Sequence, residues 1–164
     1  QQMEVMPELT HPSIPSFTIH DYDPLLDSSN MTPGEWVNIA RDIAGHYREY
    51  DGFIVLHGTD TMAYTASALP FMLEGLQKPV IITGSQIPLC EVRNDARENL
   101  ITSATRALAP RRLVSTGPSD QNHRWIVPAN RCVCAAEWSK TGSPQKRNGK
   151  DPTCVLLNWH SSLR

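Results

Sequence analysis

The chain has 164 residues, 40% of them hydrophobic, so it is long enough and apolar enough to build the core of one domain. Its formal net charge of −2 hides a division: residues 1–105 hold 5 basic and 14 acidic side chains, for −9, and residues 106–164 hold 10 and 3, for +7. No apolar run approaches the ~20 residues that cross a bilayer, and no signal-peptide pattern is present, so we expect no membrane partner and a cytoplasmic location.

Strand and helix signals alternate along the acidic part of the chain. Residues 16–22 alternate polar and apolar side chains, which is typical of a half-buried strand. The segment Thr32-Pro33-Gly34-Glu35 is a capping box with proline at the first helical position. It predicts a helix that ends near Tyr50.

Two further pairs of strand and helix follow. Residues 53–57 and 79–83 are short apolar runs, and helices are predicted from Met62 to about Gly75 and from Asn94 to about Thr105. Strands that are apolar on both faces indicate a sheet covered by helices on each side. We therefore predict an α/β fold with a parallel sheet, right-handed crossovers and helices on both faces.

Small hydroxyl and acidic residues follow the predicted strands in three groups. The groups are Asp27-Ser28-Ser29, Thr59-Asp60-Thr61 and Thr83-Gly84-Ser85. The second and third open on the same edge of a parallel sheet, which is where α/β proteins keep their ligand sites. Hydroxyls and backbone amides can bind a carboxylate there, and Asp60 can pair with an ammonium group, so the set suits a small zwitterion. The glycine-rich spacing that binds a dinucleotide or a nucleoside triphosphate is not present.

Each of these residues also has an alternative structural role. Asp60 or Thr61 could cap the helix that follows them, and Ser28 and Ser29 could be turn residues. His57, at the end of a strand, fits a hydrogen-bonded core histidine better than a general base. The joint spacing of the three groups favours a ligand site over these separate roles.

The three groups are parts of longer motifs, which are Asp27-Ser28-Ser29-Asn30-Met31, His57-Gly58-Thr59-Asp60-Thr61-Met62 and Thr83-Gly84-Ser85-Gln86-Ile87-Pro88. Together they closely resemble the bacterial type I (cytoplasmic) L-asparaginases. The resemblance runs from about Met6 to about Ser103. It implies a Rossmann-like asparaginase amino-terminal domain, of which residues 1–105 are a part.

The resemblance also implies a reaction. In this family a threonine hydroxyl attacks the side-chain amide of L-asparagine, ammonia leaves, and water hydrolyses the β-aspartyl ester. By their match to the family motifs, Thr59 and Asp60 support catalysis. Asp27, Ser28 and Ser29 hold the substrate α-carboxylate. Gly84 and Ser85 belong to the loop that stabilises the oxyanion. Asp60 also binds the α-ammonium group. The resemblance implies L-asparagine as the small-molecule substrate, no cofactor, no metal ion, and a homo-oligomer in the family.

Two parts of the family pattern have no match in this chain. The family begins with a strand and a Thr-Gly-Gly-Thr turn whose second threonine is the nucleophile, and the sequence contains no such turn. The lysine of the supporting triad belongs to a segment that is also unmatched. We therefore interpret the chain as a fragment or a truncated product and expect it to be inactive by itself. The alternative is a non-catalytic binding module that retains the amino-acid pocket.

Residues 106–164 differ in composition and contain three of the four tryptophans and three of the four cysteines. They show no sustained apolar spacing, so we predict an irregular tail outside the family and interpret it as out-of-frame translation. An unusual native extension and a basic nucleic-acid-binding tail are the alternatives, but no nucleic-acid motif is present and we expect no nucleic-acid partner. Cys132-Val133-Cys134 lacks the spacing of a zinc site, so no metal site is predicted.

Overall fold

The part of the chain that the structure describes forms six strands and three α-helices. The computed structural model describes residues 6–23, 25, 27–74, 76, 78–107, 124–126, 133–137 and 153–158. The strands are β1 (Ser16–Asp21), β2 (Gly52–Leu56), β3 (Val80–Thr83), β4 (Arg124–Ile126), β5 (Val133–Glu137) and β6 (Thr153–Asn158). The α-helices are α1 (Pro33–His46), α2 (Met62–Met72) and α3 (Ala96–Ala107), and short 3-10 helices lie at Pro7–Thr10 and Ser28–Asn30.

The strands make one sheet in the order β1-β6-β2-β3-β5-β4. The first four strands of this order are parallel to one another. The last two, β5 and β4, extend the sheet beyond β3 in antiparallel pairing. The predicted α/β fold with a parallel sheet is therefore confirmed, and the antiparallel extension is an addition that the sequence pattern did not indicate.

Helices cover both faces of the sheet, as predicted. Ile54 and Ile81 on one face of the central strands belong to a buried cluster that includes the apolar side of α3. Phe53, Val55 and Ile82 on the other face belong to a second cluster that includes α1 and α2. Because successive side chains of a strand point to opposite faces, every residue of β2 is buried.

Helix α1 begins at the predicted capping box. The backbone amide of Thr32 donates to Glu35 Oε2 at 2.9 Å, and the hydroxyl oxygen of Thr32 accepts from the Gly34 amide at 3.3 Å. Pro33 occupies the first turn, where its missing N–H removes no helical hydrogen bond. These local contacts satisfy donors that the first turn of a helix otherwise leaves unpaired.

Helix ends differ from the predicted positions more than helix starts do. Helix α1 ends short of the predicted Tyr50, because the Tyr47 amide bonds to the Ala44 oxygen in the tighter spacing that closes many helices. Helix α2 ends at Met72, and its predicted terminator Gly75 lies outside the described residues. The difference at α1 is four residues, more than the one or two by which helix ends ordinarily fray.

Strand β6 lies inside the sheet although it follows all the other strands in the chain. It pairs with β1 from Ser16↔Thr153 to Asp21↔Asn158, and with β2 over Gly52↔Cys154 to Leu56↔Asn158. Cys154, Val155 and Leu157 are buried there. The two core clusters each take residues from β6, so this strand contributes to both faces.

The prediction that residues 106–164 form an irregular tail is wrong for β4, β5 and β6. These strands are 3, 5 and 6 residues long, and none of them alternates polar and apolar side chains in the sequence. Strands β5 and β6 pair with strands that are distant in the chain, which sequence spacing does not report, and β4 pairs with β5 alone. The rest of 106–164 lies outside the described residues, and the proposed boundary near residue 105 stays a prediction.

Candidate functional site

Three loops that carry the predicted site residues leave the sheet at the same edge. They follow β1, β2 and β3, which all belong to the parallel part of the sheet. The carboxyl ends of parallel strands meet at one edge, so the polar groups of the three loops are neighbours. The edge expected from the sequence is thus the edge at which these residues lie.

Two hydrogen bonds join the loop after β1 to the loop after β2. The Ser28 hydroxyl donates to Asp60 Oδ2 at 3.4 Å, and the Thr61 hydroxyl donates to the Ser28 carbonyl oxygen at 2.6 Å. Within the first loop, Asp27 Oδ1 accepts from the Ser29 amide at 3.1 Å and so caps the 3-10 helix at Ser28–Asn30. Ser28 is consequently 3% exposed, whereas the Asp60 side chain stays open to solvent.

These contacts decide between the roles left open by the sequence. Thr61 occupies the position before α2 but makes no capping hydrogen bond with its side chain, because its hydroxyl is engaged with Ser28. The capping alternative is therefore wrong for Thr61. The Asp60 carboxylate is exposed at the edge of the sheet. Ser28 and Ser29 both lie in the 3-10 turn, as the turn alternative expected, and the side chain of Ser28 in addition links two loops.

The loops after β2 and β3 are in close backbone contact at Gly84. A Cβ atom placed on Gly84 would lie 2.0 Å from the His57 carbonyl oxygen and 2.7 Å from Met62 Cε. The His57 amide donates to the Thr83 carbonyl oxygen at 2.7 Å, which continues the pairing of β2 with β3 beyond the strand ends. Only glycine permits this approach, so the backbone around Gly84 lies directly beside that of the second loop.

Two side chains from the start of α3 hold the loop after β3. The Asp95 carboxylate accepts hydrogen bonds from the Gln86 amide (3.1 Å) and the Ile87 amide (2.9 Å). The Asn99 side-chain amide donates to the Gly84 carbonyl oxygen at 2.9 Å. Burial by itself would raise the pKa of Asp95, but the hydrogen bonds from Ile87 and Gln86 outweigh it, so the pKa lies below the ordinary value.

His57 is a hydrogen-bonded core residue, as the sequence analysis expected. It is 2% exposed, its Nδ1 lies 2.6 Å from the Gly58 carbonyl oxygen, and its Nε2 lies 2.9 Å from the Thr65 hydroxyl. Thr65 in turn accepts from Trp36 Nε1 at 2.9 Å. A histidine whose two ring nitrogens are both engaged is not available as a general base.

Seven residues were predicted to form the site, and their surroundings differ. Ser28, Gly84 and Ser85 are buried, Thr59 is half-buried, and Asp27, Ser29 and Asp60 are exposed. The Ser85 hydroxyl oxygen is buried and has no hydrogen-bond partner within the described residues. Because an unpaired buried hydroxyl costs free energy, it is suited to meet a polar group of a ligand.

Sequence reasoning missed the supporting residues of the site, namely Trp36, Thr65, Asp95 and Asn99. Trp36 and Thr65 lie within predicted helices, and the spacing of residues in a helix does not indicate which hydrogen-bond partner a side chain will have. Asp95 and Asn99 stand one helical turn apart at the start of α3, a pattern that indicates capping and not the support of a distant loop.

The described residues contain no group of three or more His, Cys, Asp or Glu side chains that could hold a metal ion. In the same part of the chain, none of the helices has the length and apolar character needed to cross a membrane. The site loops carry hydroxyls, backbone amides and the exposed carboxylates of Asp27 and Asp60, groups that bind polar organic molecules through hydrogen bonds.

Comparison with known proteins gives matches along most of the chain. A family model described as asparaginase, N-terminal, matches residues 1–147, which extends past the limit near Ser103 expected from the motifs. L-asparaginase 1 of Escherichia coli (strain K12) is 63% identical over 103 residues, which make up 63% of this chain and 30% of that protein. The L-asparaginase of Dirofilaria immitis is 64% identical over 81 residues, or 49% of this chain and 14% of that protein.

The fold has a solved counterpart as well. The crystal structure of L-asparaginase I from Vibrio cholerae O1 biovar eltor str. N16961 matches with a TM-score of 0.63 and 61% sequence identity, covering 65% of this chain and 32% of that one. The chain spans less than a third of the length of the curated relatives it matches. On the family match, the identities and the shared fold, the chain belongs to the asparaginase family and corresponds to its amino-terminal domain.

Proposed function

We propose that this chain carries the substrate pocket of an L-asparaginase, the enzyme that converts L-asparagine and water to L-aspartate and ammonia. The observation that carries the proposal is the pair of hydrogen bonds joining Ser28 to Asp60 and to Thr61. They bring the loops after β1 and β2 together and leave a carboxylate exposed beside buried hydroxyl and amide groups. Such a set of groups is complementary to an amino acid with a free ammonium and a free carboxylate.

Each group has a proposed role in binding. The Asp60 carboxylate meets the α-ammonium group of the substrate, and the loop of Asp27, Ser28 and Ser29 holds its α-carboxylate. The backbone around Gly84 and Ser85 supplies an amide for the oxyanion that forms at the side-chain carbonyl. The packing of these loops supports the proposal. It fixes their backbone before a ligand arrives, and so less conformational entropy is lost when the ligand binds.

For the chemistry, Thr59 and Asp60 are the proposed catalytic residues of this chain. Thr59 supports a threonine nucleophile that the family carries on a Thr-Gly-Gly-Thr turn, and the 164 residues contain no such turn. A covalent mechanism needs both the nucleophile and the groups that activate it. We therefore expect these residues by themselves to bind L-aspartate or L-asparagine without turning the latter over. Homo-oligomeric assembly and a cytoplasmic location complete the proposal.

Replacement of Asp60 tests the pocket. Asp60→Asn keeps the shape of the side chain but removes its charge, and a hydrogen bond to a charged group contributes about 1.5–3 kcal/mol. Binding of L-aspartate should weaken roughly ten- to hundredfold, as measured by calorimetry. Thr59→Ala should weaken it less. Glu98→Gln, which removes an exposed charge from α3, is the matched control; equal affinity of Asp60→Asn and this control would contradict the pocket.

A non-catalytic amino-acid-binding module is the second candidate, favoured by the presence of the binding loops without the nucleophile turn. Ammonia release from L-asparagine separates the two candidates. Restoration of a chain of full family length should give turnover if the site belongs to an asparaginase, because nucleophile and positioning act together. Tight L-aspartate binding that persists without any turnover in that longer chain would favour the binding module.

A further inference from the structure

A chain of three hydrogen bonds, the first part-buried and the other two buried, leads from α1 through α2 to the backbone of the second site loop. Its members are Trp36 Nε1, the Thr65 hydroxyl, the His57 imidazole and the Gly58 carbonyl oxygen, joined at 2.9, 2.9 and 2.6 Å. Thr65 is 0% and His57 2% exposed. We name Trp36, Thr65 and His57 the relay.

The direction of the relay is fixed by its two ends. An indole N–H can only donate and a carbonyl oxygen can only accept. Trp36 therefore donates to Thr65, and His57 must carry its proton on Nδ1 to donate to Gly58. In the neutral imidazole, His57 Nε2 is then an acceptor, and the Thr65 hydroxyl donates to it. All three hydrogen bonds run the same way, an arrangement in which each polarises the next.

The relay acts on the peptide that precedes Thr59. In a planar trans peptide the carbonyl and the N–H point in opposite directions. When His57 holds the Gly58 carbonyl oxygen, the Thr59 N–H of the same peptide points the opposite way, away from the imidazole. The orientation of this peptide also sets where the Thr59 and Asp60 side chains leave the backbone.

We propose that His57, Thr65 and Trp36 are positioning residues that orient Thr59 and Asp60 for the ligand. The proposal rests on the proposed function for the identity of that ligand. Apolar side chains would pack equally well at His57 and Thr65, since β2, which ends at Leu56, and Ala66 and Leu69 of α2 are apolar and buried. Polar groups at these buried positions are costly unless they are bonded, so their complete pairing, ending on the site loop, indicates a role at that loop.

Thr65→Val and Thr65→Ser form the matched pair that tests the relay. Valine has the same shape but neither donates nor accepts, whereas serine keeps the hydroxyl. In ligand-free protein, nuclear magnetic resonance should show the Nδ1–H form of His57 in the parent chain. Thr65→Val should shift the amide resonance of Thr59, and Thr65→Ser should restore it. Ser67→Ala, which changes an exposed residue of α2, should leave that resonance unchanged.

Ligand binding gives the second readout. L-aspartate should bind Thr65→Val roughly fivefold more weakly or worse, the equivalent of one lost hydrogen bond, and bind Thr65→Ser as it binds the parent. Trp36→Phe, at the half-buried start of the relay, should act in the same direction if Thr65→Val fails to fold.

The two proposals fail in different ways. If the parent chain binds no L-aspartate, the proposed function fails, and the Thr59 resonance still tests the relay. An Nε2–H form of His57, or a Thr59 resonance and an affinity that are the same in Thr65→Val and Thr65→Ser, would overturn the relay.

Discussion

At the scale of single residues, Gly84 is the point where two loops of the site touch through their backbones. The 2.0 Å separation between an added Cβ and the His57 oxygen is shorter than any non-bonded contact, so a side chain here requires the backbone to move. The same displacement would move Ser85 and the Thr83 carbonyl that His57 binds. The absence of a Cβ atom at Gly84 thus allows the second and third loops to lie this close together.

Gly84→Ala should therefore destabilise the fold by about 1–3 kcal/mol, the usual cost of overpacking, and should weaken binding of L-aspartate. Gly45→Ala is the matched control, because nothing lies within 4 Å of a Cβ at that position of α1. Because alanine has a higher helix propensity than glycine, the free energy of unfolding of this control should rise by up to about 1 kcal/mol. Chemical denaturation measures both; equal stabilities would show that the loops are not packed at Gly84.

Asp95 gives the site a dependence on pH. Its pKa is lowered in the folded state, so its contribution to stability is complete above the ordinary pKa of an aspartate, roughly pH 4. The contribution is lost as the pH falls through the lowered folded value, because protonation removes the charge that the Gln86 and Ile87 amides face.

Asp95→Asn should accordingly cost about 0.5–1 kcal/mol at neutral pH, because solvent screens these partly exposed hydrogen bonds, and little at acid pH. The difference in stability between Asp95→Asn and the parent should shrink as the pH is lowered below about 4. Denaturation at a series of pH values measures this. A difference that stays constant from neutral to acid pH would contradict the assigned role of the carboxylate.

At the scale of elements, β6 is the strand whose position depends least on local sequence. Its thiol provides a direct test of that position. Burial raises the pKa of Cys154 to about 12, whereas Cys90 is exposed. Since the thiolate is the reactive form, the two cysteines should differ strongly in reactivity.

In the folded chain a maleimide reagent at mildly alkaline pH should label Cys90 rapidly and Cys154 only after denaturant is added. Peptide mass spectrometry distinguishes the two sites, so the remaining cysteines do not interfere. Cys90→Ser should not alter the protection of Cys154. Labelling of both cysteines at similar rates in the folded chain would show that β6 does not lie between β1 and β2.

At the scale of the whole molecule, β6 joins the last described residues of the chain to β1, near its first described residues, in one sheet. Leu157 is 0% exposed and belongs to the core cluster that contains α1 and α2. Leu157→Ala should therefore lower the stability of the entire domain by about 2–5 kcal/mol in a single transition. Val92→Ala, at a residue 99% exposed, should be neutral. Thermal unfolding followed by circular dichroism measures the stability of each variant. Equal unfolding temperatures for Leu157→Ala, Val92→Ala and the parent would contradict the prediction.

The sequence predicted those parts of the molecule whose signals are local. The capping box of α1 and the apolar runs of β2 and β3 each carry their own pattern, and each was found at its predicted place. The loops after β2 and β3 were predicted to share an edge because parallel strands require it. Strand β6 and the contacts of Asp95 could not be predicted, because both depend on partners that only the folded chain brings near.

The central position of β6 has a consequence for how the chain comes to be folded. During synthesis β1 and β2 are complete long before residues 153–158 are made, and until then each has an unpaired edge where β6 will lie. Unpaired edges invite association with other chains, and pairing between distant segments is slow. The nascent chain is open to such association during this interval, and we expect its yield in a cell to depend on chaperones and on the speed of the ribosome.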